Sequence, residues 1–107
     1  MHELAIAQSV VETVCSRAGG RRVHRVTLRI GALTAVVPEA MSFSFDLATE
    51  GTVASGARLE MLAVPAAGQC RACGAAGPID GLLCPCGSAD VEVTAGRELQ
   101  IVSMEVG

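Results

Sequence analysis

Four cysteines in a stretch too poor in apolar residues to fold by itself constrain this chain more than any other feature. Cys70-Arg71-Ala72-Cys73 and Cys84-Pro85-Cys86 lie in a run of Gly, Ala and Pro from Gly68 to about Asp90, with ten residues between Cys73 and Cys84. Ile79, Leu82 and Leu83 are its only large apolar residues. A segment with so little to bury needs a covalent staple or a metal to keep one shape. Two close cysteine pairs around a Gly-rich loop are the sequence form of a tetrahedral zinc site, in which four thiolates leave no position for water. Such a site contributes to folding rather than to catalysis. Gly74 and Gly87 each follow a pair directly and permit the tight turn that aims backbone N–H groups at sulfur.

The second pair is unusual, because only Pro85 separates Cys84 from Cys86. In extended chain, residues i and i+2 point to the same side, so both thiols can face one metal. Their sulfurs must also close to tetrahedral separation while Pro85 holds φ near −65°. The spacing is read as a four-thiolate site. The alternatives are three thiolates completed by water, or a disulfide, against which a reducing compartment counts.

Outside this segment the apolar residues are periodic. Leu4, Ala7, Val11, Val14, Cys15 and Ala18 recur at helical spacing over residues 2–18. Gly19-Gly20 ends that helix, and Arg17 suits the negative end of its dipole. Val26, Leu28 and Ile30 alternate with Arg25, Thr27 and Arg29, as in a half-buried strand. Pro38 opens a second helix at a position that needs no N–H. It carries Met41, Phe45 and Ala48 on one face and stops near Gly51. A second strand is expected at Arg58–Val64, with Leu59, Met61 and Ala63 in phase, and a third at Arg97–Val106. The apolar phase of the third shifts between Leu99/Ile101 and Val102/Met104/Val106, which predicts a bulge or burial on both faces. The fold expected is α+β: a two-helix domain with a sheet of about three strands, residues 1–67 plus 95–107, and an inserted zinc-ribbon-like module at 68–94.

Several function classes are poorly served. The formal net charge is −3, and Arg71 is the only basic residue between Gly68 and Asp90, which argues against nucleic acid. With two histidines and no Gly-rich phosphate loop, no catalytic constellation can be assembled, so no enzyme is expected. The N-terminus lacks a basic n-region, and Glu3 and Glu12 interrupt any signal-like apolar run. No stretch approaches the roughly 20 apolar residues of a membrane span. The chain is therefore expected in the cytoplasm, with no membrane or nucleic-acid partner. Cys15, in phase with the apolar face of the first helix, reads as a structural thiol. His24, in phase with Val26, reads as a strand-end histidine, capped or partly exposed.

Met1-His2-Glu3 offers an α-amine, backbone amides and an imidazole within three residues, a set that suits square-planar Ni(II). With it, the chain resembles the HypA/HybF family of hydrogenase nickel-incorporation proteins almost end to end. MHELAIAQSVVETV opens the likeness, and RVTLRIGALTAVVPEAMSFSFDLATEGT, GARLEM, the CRACG and CPCGS pairs and DVEVTAGRELQIVSMEV continue it. The resemblance implies a non-enzymatic metallochaperone that passes nickel to the [NiFe]-hydrogenase large subunit with the HypB-type nickel GTPase, and in some members serves urease maturation proteins. It implies nickel donors at Met1 (amine), His2 (amide and imidazole) and Glu3 (amide), and structural zinc on Cys70, Cys73, Cys84 and Cys86. The family pattern Cys-Pro-x-Cys-Gly-Ser is one residue shorter here. A zinc-stabilised adaptor without nickel transfer is the competing reading; it would share the zinc site and the sheet, and ignore nickel.

Overall fold

A computed structural model describes residues 2–79 and 84–107. The chain runs α1 (Glu3–Ala18), β1 (Val23–Gly31), a 3-10 turn (Ala32–Thr34), α2 (Pro38–Thr49), β2 (Arg58–Val64), β3 (Ala67–Cys70), β4 (Ala76–Pro78), β5 (Val91–Ala95) and β6 (Leu99–Val106). The strands form two sheets, ordered β2-β1-β6 and β4-β3-β5. The Cα radius of gyration is 17.0 Å. A compact chain of this length would give about 13 Å. The two sheets lie along a long axis, in a molecule 52 × 22 × 16 Å.

In the first sheet β1 is central, parallel to β2 and antiparallel to β6. The helices pack against each other over one face, and their apolar stripes meet Val26 and Leu28 of β1. Ala7, Val10, Val11, Val14, Met41 and Phe45 are buried there, with Met61, Met104 and Val106 packed at the margin. The opposite face carries ion pairs instead, with Arg25 reaching Glu60 and Glu105 at 3.5 Å each. Side chains alternate across a strand, so a central strand covered on one face only must read apolar and polar in turn.

Two departures from strict alternation have one cause. The β1–β6 register shifts between Thr27 and Leu28, whose partners are Ser103 and Ile101, so Val102 is the extra residue of a bulge. That bulge puts Met104 and Ile101 on the same face although they are an odd three positions apart, and it accounts for the phase shift in β6. The strand is not buried on both faces, since Leu99, Ile101 and Val102 are exposed. It starts at Leu99 rather than at Arg97. A second shift between Val23 and Arg25 keeps Val23 buried and turns His24 out of phase with Val26. His24 is exposed and its Nε2 lies 3.1 Å from the Gly107 carbonyl oxygen. Leu4 and Ala63, expected on buried faces, are exposed at the margins, while Val10 joins the core.

β3, β4 and β5 were not among the strands expected from the sequence. They pair through Ala67–Cys70, with β4 on one side and β5 on the other. The hydrophobic core contains no residue of this second sheet. The two sheets meet where Gly31 ends β1. A Cβ there would overlap the backbone of Gly96, so only glycine permits the approach. Gly31 N–H donates to the Glu98 carbonyl at 2.7 Å and Leu33 N–H to the Gly96 carbonyl at 2.7 Å.

Candidate metal centres

Each cysteine pair sits on its own turn at the end of the second sheet. In the first, Cys70 N–H donates to the Ala75 carbonyl (2.8 Å) and Gly74 N–H to the Cys70 carbonyl (2.9 Å). In the second, Cys84 N–H donates to the Ser88 carbonyl (2.9 Å) and Gly87 N–H to the Cys84 carbonyl (2.8 Å). The two turns share one plan, but the second closes an i to i+3 ring where the first closes i to i+4. The missing residue is thus absorbed inside the turn. Pro85 takes the position after the first turn residue, where its fixed φ is favoured, and Gly74 and Gly87 close the turns at φ 79° and 95°.

This arrangement brings all four sulfurs together. Cys70 and Cys86 Sγ are 3.8 Å apart, Cys73 and Cys84 Sγ 3.6 Å, and every pair lies within 4.8 Å. Zinc–sulfur bonds of about 2.3 Å give tetrahedral edges of about 3.8 Å. A disulfide needs about 2.05 Å, and all four thiols are free. Cys70 and Cys84 are buried, Cys73 and Cys86 exposed. Arg71 braces the turn against β5, donating to Asp90 at 2.8 Å.

The thiols are electrostatically unequal. The Cys73 N–H above all, opposed by burial and helped by the Ala72 N–H and the Cys73 and Cys86 thiols, lowers Cys70 to about 6. At Cys84 the Cys86 N–H favours the thiolate. The Cys86 thiol, burial, and the Cys73 and Cys70 thiols outweigh it and push Cys84 up to about 12. Four adjacent sulfurs do not all ionise without a cation; a dication that binds them displaces protons.

The N-terminal motif lies at the other sheet. Met1 falls outside the described residues. His2 is exposed and precedes α1, its carbonyl accepting from Ile6 N–H at 3.2 Å. Glu3 is the first residue of α1. Amides of the first helical turn have no intrahelical acceptor, so a metal that displaces their protons breaks no helix bond. The Glu3 carboxylate faces elsewhere. It accepts from Val37 N–H at 3.0 Å, which ties the start of α1 to the residue capping α2. Nothing in the sequence joins these positions, 34 residues apart.

The Val37 N–H holds the Glu3 carboxyl below its ordinary value of 4.5. A depressed pKa contributes stability that is complete above the unfolded value and lost as pH falls through the folded one. The Val37 amide resonance is therefore expected to titrate below pH 4.5, and to stop titrating there in Glu3→Gln, by two-dimensional NMR. A Val37 resonance that moves identically in both forms would rule out the bond.

The family described as hydrogenase/urease nickel incorporation, metallochaperone, HypA matches residues 1–106. The chain belongs to the HypA family. It is 47% identical over 109 residues to the hydrogenase maturation factor HypA of Geobacter metallireducens, covering 99% of both chains. It is 43% identical to that of Trichodesmium erythraeum, over 99% of this chain and 96% of the relative. The solution structure of the Ni metallochaperone HypA from Helicobacter pylori superposes with a TM-score of 0.69 at 21% identity, over 99% of this chain and 97% of that one. A second HypA solution structure gives 0.71 at 23%, over 100% and 97%. These two comparisons show a shared fold. HypA proteins are metallochaperones of nickel incorporation in hydrogenase maturation, not enzymes. No described helix is long and apolar enough to cross a membrane.

Proposed function

We propose that this HypA-family chain carries Ni(II) on its first three residues and hands it to the [NiFe]-hydrogenase large subunit, in the cytoplasm, with a HypB-type GTPase as partner. The nickel donors are the Met1 amine, the His2 amide and imidazole and the Glu3 amide. The observation that carries this reading is the exposed His2 at the open end of α1, where first-turn amides lack helix partners. Zn(II) is the resident metal of Cys70, Cys73, Cys84 and Cys86. The donor chemistry and sulfur separations fit it, and four thiolates would saturate it and close the site to water. Residues 68–94 form the structural insert, and 1–67 with 95–107 the nickel-handling body.

The α1 side supports the GTPase assignment. An open groove of about 850 Å³ runs between α1 and β6, lined by Ile6, Val10, Arg17, Leu99, Ile101 and Val102 among others. It begins near the metal-bearing end of α1, where a transfer partner has to stand. The test is transfer of radiolabelled nickel from the loaded chain to the metal-free large subunit. Label should appear on the acceptor, faster with GTPase and GTP, and Arg17→Glu should remove the acceleration without lowering nickel loading. An acceptor that stays unlabelled would leave the zinc-stabilised adaptor as the reading.

A further inference from the structure

We infer that the outward face of α2 is a second docking surface, for a partner protein presenting an apolar socket ringed by Arg or Lys. Glu39, Phe43, Asp46, Leu47 and Glu50 recur at spacings of three and four along one side of the helix, and all five are exposed. The buried side, Met41, Ser44, Phe45 and Thr49, is opposite. The chain has two aromatic residues. Phe45 is fully buried, whereas Phe43 is 66% exposed with Leu47, one turn on, at 44%. An aromatic left in water contributes nothing to the core, and Phe43 with Leu47 amid carboxylates has the layout of a contact site, apolar at its centre and polar at its rim.

The carboxylates around it give the partner's chemistry. α2 has no basic residue in its last turn. Asp46 and Glu50 place negative charge at the helix end where the dipole disfavours it. Among the described residues, no Arg pairs with Glu39, Asp46 or Glu50. The face therefore repels nucleic acid and anionic membranes and attracts a cationic protein surface. A two-fold contact with another copy would set carboxylate against carboxylate. A head-to-tail contact on the chain's own arginines would have to build a ring or an open filament.

The stripe begins two residues after Val37, whose N–H holds Glu3, so a partner seated on it reaches the nickel motif. It does so on the side away from the α1 groove. Resting on the metallochaperone reading, the occupant is the nickel acceptor, which can bind while the GTPase stays in place.

The experiment measures binding of the purified full-length chain to the metal-free large subunit and to the GTPase, at low and high salt. Phe43→Ser should weaken acceptor binding at least about tenfold, and Asp46→Arg should weaken it and flatten its salt dependence. Asp46→Glu should keep both, and GTPase affinity, zinc content and nickel loading should not change in any variant. Acceptor binding unmoved by Phe43→Ser and Asp46→Arg overturns the proposal, as does a loss confined to the GTPase. An unsubstituted chain that never binds the large subunit overturns the acceptor reading itself, a different result from binding that ignores the stripe.

Discussion

Removing one buried thiol, Cys70→Ala, is expected to abolish the second sheet while the helix-covered sheet stays folded. The reason is where each half gets its stability. Every residue of the hydrophobic core belongs to the helices, the first sheet or the Val53–Ala57 turn. In the module the buried cysteines are Cys70 and Cys84, and its strands are built from Ala, Gly, Gln and Pro with only β5 apolar at alternate positions. Structural zinc supplies on the order of 10–16 kcal/mol of apparent binding free energy, far more than those side chains can offer. The Cys70 thiol is also drawn down to about 6, chiefly by the Cys73 N–H, so its loss removes a donor that ionises near neutral pH. The measurement is metal analysis with amide NMR. Wild type should carry close to one zinc per chain, and Cys70→Ala little. Signals from β3–β5 should collapse to random-coil positions, with those of α1, α2 and β1 in place. Chelation of the wild type should reproduce this pattern, more readily at low pH, because protons compete for the thiolates. A metal-free second sheet that keeps dispersed signals would refute the argument.

The same division explains what the sequence made legible. α1, α2, β1, β2 and β6 bury one face against a shared core, and burial on one face writes a period into the residues. Their order and the partnering of two helices with three strands could be read directly. β3 and β4 are held by neighbouring backbone and by sulfur, so Ala67–Cys70 and Ala76–Pro78 carry no periodic signature to find. The alternation of Val91, Val93 and Ala95 in β5 was legible in principle. Bulges are invisible for another reason: a single extra residue at Val102 or His24 changes which face each later residue takes, and only the partner strand reveals it. The cysteine cluster was legible as chemistry, and its fit was not. Whether Cys84-Pro85-Cys86 could bring both sulfurs in depended on a turn that shortens with the pair. The link from the Glu3 carboxylate to Val37 is tertiary, and no spacing announces it.

Nickel binding should vanish when the N-terminus is blocked, and this is the result that separates a metallochaperone from an adaptor. The proposed donors include the α-amine, so an acetyl group or an N-terminal tag removes one nitrogen, and His2→Ala removes the imidazole. Changing groups that merely hold a ligand costs 10–100-fold in metal affinity, so loss of a donor should cost at least about 100-fold. The exposed position of His2 argues that either change leaves the fold intact, because its side chain packs against nothing in the core. Glu3→Gln should matter less. Its amide nitrogen is kept, and the carboxylate is engaged with Val37. Amide protons must leave as Ni(II) binds, so affinity should rise with pH, with measurable proton release. Zinc content should be constant throughout, since the cysteines sit in the other sheet. The check is calorimetric titration of Ni(II) into the zinc-loaded chain with a native terminus, its acetylated form, His2→Ala and Glu3→Gln, in two buffers of different ionisation enthalpy. Equal affinity in the native and acetylated forms would move the donors away from the terminus, with His24 and Cys15 next to be tested. Neither is placed to replace them well: His24 is exposed beside Gly107 and Cys15 is half-buried against the helix core. A terminal site should also answer to chain length. One residue added before Met1 puts the histidine third in the chain, where a free amine, two amides and the imidazole close five-, five- and six-membered rings around square-planar Ni(II). The extended chain should therefore still bind nickel, with an altered donor set and spectrum, while the acetylated chain does not.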